Sequence, residues 1–139
     1  MYSKIMVPVD LAHADRLEQA LKMASDLAHL YKAEVIFVGV TSPQPSKVAH
    51  NPQEFAAKLE DFASRQADKH NITASGHAVV SHDPAIDLDA TLVQACNDTG
   101  AGLIVMASHL PRVSDYLFHA HGGRVAETAP VSVLVVRES

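Results

Sequence analysis

The sequence has little of several features that define whole classes of protein. Cys96 is the single cysteine among 139 residues, so an internal disulfide framework is excluded. No apolar run approaches the roughly 18–20 residues that a membrane-spanning helix needs, and no membrane insertion is expected. The apolar stretch at the start of the chain is too short for a secretory signal, because Pro8 and Asp10 end it. Together these absences favour a cytoplasmic protein.

Positive charge is also scarce. The chain has 11 Lys and Arg against 16 Asp and Glu, which gives a net charge of −5 with His neutral. Nucleic-acid binding favours a basic stripe, so nucleic acid is not expected as a partner.

Motifs of catalysis and phosphate transfer are missing as well. The chain has no G-x-S-x-G elbow, no G-x-x-x-x-G-K-[ST] phosphate loop and no G-x-G-x-x-G. No lysine lies between Leu103 and Arg137 to neutralise a γ-phosphate. No catalytic residue is therefore assigned, and the chain is not expected to be an enzyme. A slow ATPase that uses His109 or His121 to move a proton is the weaker hypothesis.

What the chain does have is alternating strand and helix patterns. Short apolar runs predict strands, and apolar residues at three- and four-residue steps predict helices. The capping residues Asn51 and Pro52 mark one helix start, and Asp83-Pro84 marks another. The predicted strands are residues 4–9, 34–40, 75–81, 103–107 and 131–136, and the predicted helices are residues 15–31, 52 to about 71, 83 to about 99, and 121–128.

This alternation predicts an α/β fold. Strands that alternate with helices form a parallel sheet covered on both faces, and right-handed crossovers favour one doubly wound layer. The connection over residues 41–51 is too short to separate domains, so residues 1–139 are expected to form a single domain.

In such a sheet, ligands bind beyond the carboxyl ends of the strands, where the winding reverses. Asp10 follows the first strand, and Ala107-Ser108-His109 follow the fourth, so these segments are expected to face each other. Asp10 either accepts hydrogen bonds from a ribose hydroxyl or adenine amine, or caps the turn that follows it. Val40 either offers backbone groups to a base edge or is plain core.

The loop after the fourth strand is rich in His and Gly. Gly122 and Gly123 lack Cβ atoms, so their amides can approach a phosphate, or they form only a flexible turn. Arg112 and Arg124 are either phosphate partners or solvated surface residues. The pair His119-x-His121 supplies two metal ligands where three or four are required, so no metal site is expected.

Three segments resemble the universal stress protein family. They are Ile5 to Asp10 (IMVPVD), Gly102 to His109 (GLIVMASH) and Ala129 to Arg137 (APVSVLVVR), in that order and spacing. The resemblance covers essentially the whole chain. It implies a flavodoxin-like sheet of order 3-2-1-4-5, ATP or AMP as the ligand with or without Mg, and a role in the stress response.

The resemblance also assigns residues. It implies adenosine contacts by a first segment with Asp10 at the acidic position, by the backbone of Val40, and by the segment after strand four, where Ala107 replaces the common glycine. The positions so matched are Pro8, Val9, Asp10, Val40, Met106, Ala107, Ser108 and His109.

The phosphate signature of the family, G-x-x-G-x9-G-[ST], is not matched. Ala107 and Leu110 stand at its first two glycines, and Ala120 and His121 stand at its Gly-Ser pair. One hypothesis is that binding is lost, which leaves a nucleotide-free dimeric interaction module. The favoured hypothesis is that the loop is rebuilt with His121, Gly122 and Gly123. The Ser-His-x-Pro and Gly-Gly features are similar to family members associated with TRAP-type transporters, which implies a regulator of a transporter.

A homodimer is expected through the last strand, from Val131 to Val136. This strand is apolar and falls at an edge of the predicted sheet, and an unprotected edge invites pairing with another chain. Most members of the family form dimers in this way, so the resemblance implies the same partner.

Overall fold

A computed structural model describes residues 2–83, 88–107 and 131–137 of the chain. The strands are β1 (Lys4–Pro8), β2 (Glu34–Thr41), β3 (Ala74–Val80), β4 (Leu103–Ala107) and β5 (Ser132–Val136). The helices are α1 (Glu18–Tyr31), α2 (Pro52–His70) and α3 (Leu88–Thr99), and a 3₁₀ helix (Leu11–Leu17) precedes α1.

The five strands form one parallel sheet in the order β3-β2-β1-β4-β5. The predicted flavodoxin-like, doubly wound α/β architecture is confirmed. Along β1, Ile5, Met6 and Val7 are all fully buried. Because successive side chains of a strand point to opposite faces, burial of all three shows that both faces of the sheet are covered there.

The core is built where the helices cross the central strands. The rings of Phe37 on β2 and Phe62 on α2 meet edge to face, with centroids 5.2 Å apart. Cys96 on α3 lies 3.8 Å from the sulfur of Met6 on β1. Burial raises the pKa of the Cys96 thiol to about 11, so this cysteine is a core residue rather than a nucleophile.

Helix α2 begins and ends at the predicted residues. The side chain of Asn51 accepts a hydrogen bond from the Glu54 N–H at 2.7 Å, and Pro52 occupies the first helical position. At the other end Asn71 adopts a left-handed conformation with φ 54°, and its N–H donates to the carbonyl of Ala67. The predicted cap and stop are confirmed.

The predicted helix over residues 15–31 starts later than expected. Residues Leu11–Leu17 form a 3₁₀ helix, within which His13 has non-helical angles of φ −133° and ψ 37°, and the α-helix begins at Glu18. Leu17 is fully buried within the 3₁₀ helix, so its apolar character alone does not show where the geometry changes.

Two further predictions concern residues outside the described ranges. One is the start of the third helix at Pro84, and the other is the whole helix over residues 121–128. Within the described ranges, the third helix ends before Gly100 as expected, and β4 has the predicted bounds. None of the helices in those ranges is long and apolar enough to cross a membrane.

Candidate functional site

The winding of the sheet reverses between β1 and β4, which places a crevice at their carboxyl ends. Pro8 ends β1 and is followed by Val9 and Asp10, while Met106 and Ala107 end β4. These five predicted site residues therefore lie at one end of the sheet. Ser108, His109, Ala120, His121, Gly122 and Gly123 complete the predicted site but lie outside the described residues.

The pairing of β1 with β4 stops before either strand ends. It covers only Ile5 with Leu103 and Met6 with Ile104. The Val9 N–H donates to the Val38 carbonyl on the β2 side, at 2.9 Å, so the main chain of the preceding residue faces β4. That residue is Pro8, which has no N–H to donate. The proline thus gives a physical reason for the short pairing, which leaves the crevice open between the two strands.

The main chain of Val40 points toward the space beyond the carboxyl end of β1. Val38 faces β1, since its carbonyl accepts from Val9, and residues two apart on a strand face the same side. Val40 therefore also directs its N–H and C=O toward the β1 side, two residues beyond the last pair, Pro8 with Val38. Its side chain is half-buried against the core. The half-buried side chain of Val40 is compatible with a core role, and the direction of its main chain is compatible with contact to a base edge.

Asp10 is engaged by its own neighbours. One carboxylate oxygen accepts from the Ala12 N–H at 3.1 Å, which caps the 3₁₀ helix, and the other lies 2.9 Å from Nδ1 of His13. The capping role considered for Asp10 is therefore present. The side chain is still 45% exposed, and each carboxylate oxygen has a second lone pair, so the group retains capacity to accept from a ligand.

The partner His13 is the feature that sequence reasoning missed. It is about half exposed and lies beside the carboxylate at the mouth of the crevice. The i,i+3 spacing of Asp10 and His13 was the available signal, because residues three apart meet in a helical turn. Met106 and Ala107 are fully buried, so any contribution that they make to a ligand comes from main-chain atoms.

Metal binding has no support in the described part of the chain. No three His, Cys, Asp or Glu residues among residues 2–83, 88–107 and 131–137 are grouped so that they could hold an ion. The predicted candidates His119 and His121 lie outside those ranges.

A hollow of about 510 Å³ lies at the opposite end of the sheet, between the starts of β1 and β2 and the ends of α1 and α2. None of the predicted site residues lines it. Helix carboxyl ends carry partial negative charge, which disfavours a phosphate there. Two lysines, Lys4 and Lys32, lie in its wall, and Lys4 already pairs with Glu34 at 3.8 Å. The charge of the helix ends therefore favours the carboxyl-end crevice over this hollow as a phosphate site.

The chain was compared with known sequences and structures. A search of curated protein sequences finds no match. A solved structure of a universal stress protein in complex with cAMP is 20% identical, with a TM-score of 0.68 and 99% of each chain covered. A universal stress protein from Archaeoglobus fulgidus in complex with dAMP is 22% identical, with a TM-score of 0.63 and coverage of 96% of this chain and 97% of that one.

A third structure, of a universal stress protein family member from Burkholderia pseudomallei, is 22% identical, with a TM-score of 0.66 and coverage of 97% of this chain and 96% of that one. Likeness at these identities shows a shared fold. The sequence profile of the Universal stress protein family matches residues 1–137, nearly the full length. The chain belongs to the universal stress protein family.

Proposed function

We propose that this protein binds an adenine nucleotide in the crevice at the carboxyl ends of β1, β2 and β4, and that it acts as a regulatory binding protein in a stress response. The observation that carries the proposal is that Asp10, the main chain of Val40 and the opening that Pro8 leaves between β1 and β4 all lie at the carboxyl ends of the central strands. The similar structures with cAMP and dAMP support adenine as the common chemistry.

The proposed contacts follow from hydrogen-bonding chemistry. The N–H and C=O of Val40 form a donor and acceptor pair, which suits the edge of an adenine base. The Asp10 carboxylate is an acceptor, which suits a ribose hydroxyl. His121, Gly122 and Gly123 are proposed for the phosphates on the sequence alone, with ATP or AMP as the ligand and Mg as its companion where a triphosphate is bound. The proposed role is binding rather than catalysis.

Isothermal titration of the full chain with AMP and with ATP tests the proposal. We expect saturable heat with both nucleotides and a weaker response to GMP, which presents a different base edge to Val40. No heat and no thermal shift at millimolar AMP or ATP would falsify the proposal.

A nucleotide-free interaction module is the second candidate function. It is favoured by the contacts that Asp10 already makes within the chain, since one oxygen accepts from the Ala12 N–H and the other lies beside Nδ1 of His13. Denaturing the purified protein and scanning the supernatant at 260 nm separates the two candidates, because the chain has no tryptophan to obscure the spectrum. A copurifying nucleotide counts against the interaction module.

A homodimer through β5 is proposed as the assembled form. The Ser132 N–H donates to the Gly102 carbonyl on the β4 side, so the main chains of Val133 and Val135 point away from the sheet. Both side chains are half-buried and apolar. Val135→Pro removes one outward N–H without touching the β4 side, and we expect it to shift sedimentation from dimer to monomer. An unchanged dimer would contradict this interface.

The finer proposal is that the protein regulates a solute transporter. It is supported by the Ser108-His109-x-Pro111 and Gly122-Gly123 features, which are similar to the TRAP-associated branch of the family. Nucleotide-dependent retention of the protein on membranes that contain a TRAP-type transporter tests it, with membranes that lack the transporter as the control.

A further inference from the structure

Strand β3 forms one edge of the sheet, and an unpaired edge is a template for strand addition. The Val35 N–H donates to the Thr73 carbonyl, and the Ser81 N–H donates to the Thr41 carbonyl. Odd-numbered residues of this segment therefore direct their main chains toward β2. Even-numbered residues direct theirs outward, and these are Ala74, Gly76, Ala78 and Val80.

One of these outward groups is occupied. The Gly76 N–H donates to Oε1 of Glu60 at 2.7 Å, and Glu60 lies on α2. A hydrogen bond from an N–H to a carboxylate is among the stronger kinds in proteins. The carboxylate thus takes the position that the carbonyl of an added strand would need.

The contact depends on glycine at position 76. A Cβ there would lie 2.9 Å from Oε1 of Glu60, so the carboxylate would have to move, and 3.0 Å from Cγ of Leu59, which is tighter than an ordinary contact. Glycine within a strand weakens it, and it often marks a close approach of other atoms. Here the approaching element is α2, which closes over the edge at this residue.

The rest of the edge favours pairing. The pairing of β3 with β2 runs through seven consecutive residues without a bulge, and the strand contains no proline or lysine. It ends in Val79 and Val80, and the second of these is 50% exposed. Bulges, prolines and lysines are common protections of an edge strand. Strand β3 has none of these protections of its own, so Glu60 on α2 supplies the protection instead.

We propose that Glu60 closes the β3 edge to a second copy of this chain. While its carboxylate holds the Gly76 N–H, two β3 edges cannot pair. When the acceptor is removed, β3 pairs with β3 of another copy, since the same exposed, unbroken edge is present on both. The proposal does not depend on nucleotide binding.

Glu60→Ala tests the proposal, and Asp61→Ala is the matched control. Asp61 is the next residue on α2, carries the same charge and pairs with Arg65 at the surface. Sedimentation velocity from low to high micromolar concentration is expected to show the Glu60→Ala protein at a mass above that of the wild type and rising with concentration, because a dimer joined through β5 carries a β3 edge at each end of its sheet. The Asp61→Ala protein is expected to match the wild type. Glu60→Gln retains an acceptor oxygen, and it is also expected to keep the wild-type mass.

A second substitution tests whether the association of the Glu60→Ala protein occurs through the β3 edge. Ala78→Pro removes an outward N–H from the same edge, and edge strands tolerate proline there. The double variant Glu60→Ala with Ala78→Pro is expected to return to the wild-type mass. Hydrogen exchange at the Gly76 amide, followed by NMR, is expected to be about tenfold faster in the double variant than in Ala78→Pro alone, because a charged acceptor is lost and no added strand replaces it. A Glu60→Ala protein of wild-type mass overturns the proposal, and so does unchanged exchange at Gly76.

Discussion

At the amino ends of the strands the chain turns within two or three residues, whereas at the carboxyl ends the connections are long. Residues 32–33, 71–73 and 100–102 link helices to strands. Residues 9–17 and 42–51 lead from strands to helices. The amino end is therefore fixed by turn geometry, and the carboxyl end has the chain length to form a site.

At the amino end of the sheet, the three turns that follow α1, α2 and α3 have the same backbone geometry. Lys32, Asn71 and Gly100, with φ of 54°, 54° and 73°, are the residues of positive φ in the described part of the chain. Each follows a helix, and each N–H donates to a carbonyl of the last helical turn. At the carboxyl end, side chains replace this backbone device, since Asp10 and Asn51 both cap the helical segments that follow them. The comparison shows that polar side chains at the carboxyl end cap helical segments in addition to any contact that they make with a ligand.

The largest expected effect separates these two duties at Asp10. Asp10→Asn retains an acceptor for the Ala12 N–H but loses the charge, so we expect adenine-nucleotide affinity to fall about 10- to 100-fold, as for loss of a charged hydrogen bond. Urea unfolding should stay close to the wild type, because Asn caps as well as Asp. Isothermal titration measures the affinity. Asp15→Ala, an exposed carboxylate in the same 3₁₀ helix, is the control, and equal losses in both variants would contradict a specific role for Asp10.

The next effect tests the side-chain cap at the start of α2. Asn51→Ala removes the acceptor of the Glu54 N–H, and we expect unfolding free energy to fall by about 1 kcal/mol. The corresponding fall in Tm is about 3 °C for a chain of this size. Asn51→Asp keeps an acceptor and should remain near the wild type in thermal unfolding. If both variants lose the same stability, the cap is not the cause.

A gain in stability is expected from a substitution at the amino end of the sheet. Lys32 holds a left-handed conformation that glycine adopts without a Cβ penalty, so Lys32→Gly should raise unfolding free energy by about 0.5–1 kcal/mol. The matched control is Lys22→Gly in the middle of α1, which should lower it by about 1 kcal/mol. Urea denaturation measures both. A loss at both positions would show that the left-handed conformation of Lys32 carries no penalty.

A smaller, pH-dependent effect is expected from His70 at the end of α2. Burial lowers the pKa of His70 below 6.5, with Lys69 and His29 adding to the shift and Asp26 opposing it. The folded state thus binds fewer protons than the unfolded state just below that pH, so stability falls as the pH drops through this window. We expect the urea midpoint of His70→Gln to depend less on pH between about pH 7.5 and about pH 5.5 than that of the wild type. Equal dependence would assign the effect to other groups.

The smallest effect is expected at the Lys4–Glu34 pair. The charged atoms are 3.8 Å apart and both side chains are 42% exposed, so solvent screens them. Glu34→Gln should change unfolding free energy by less than about 0.5 kcal/mol and leave nucleotide affinity unchanged. A marked loss of affinity would move the site toward the amino end.

The parts of the fold that follow from local chemistry were predictable from the sequence. The bounds of β4 are confirmed to the residue. So is the start of α2 at Asn51 and Pro52, and α2 ends near Asn71 as predicted, because these residues act on their immediate neighbours. The strands β1, β2 and β5 differ from prediction by one residue at one end, and β3 is shifted by one residue at both ends. The sheet order followed from the family resemblance rather than from the pattern of elements alone.

The parts that depend on competing local geometries were not predictable. Leu17 is buried although it lies in the 3₁₀ helix, so apolar spacing did not reveal that α1 begins at Glu18. The sequence also left both roles of Asp10 open, because an acidic residue after a strand caps a turn and accepts from a ligand with the same oxygens. The pair with His13 follows the i,i+3 spacing, but the non-helical angles of His13 within the 3₁₀ helix were not visible in any periodicity.

The most direct test of the carboxyl-end site is an NMR titration of the ¹⁵N-labelled protein with AMP. We expect amide shifts at Val9, Asp10 and Val40 and none at Lys32 or Asn71, since only the first three face the crevice. Shifts concentrated around the amino-end hollow, at Ser3, Lys32 and Asn71, would contradict the account.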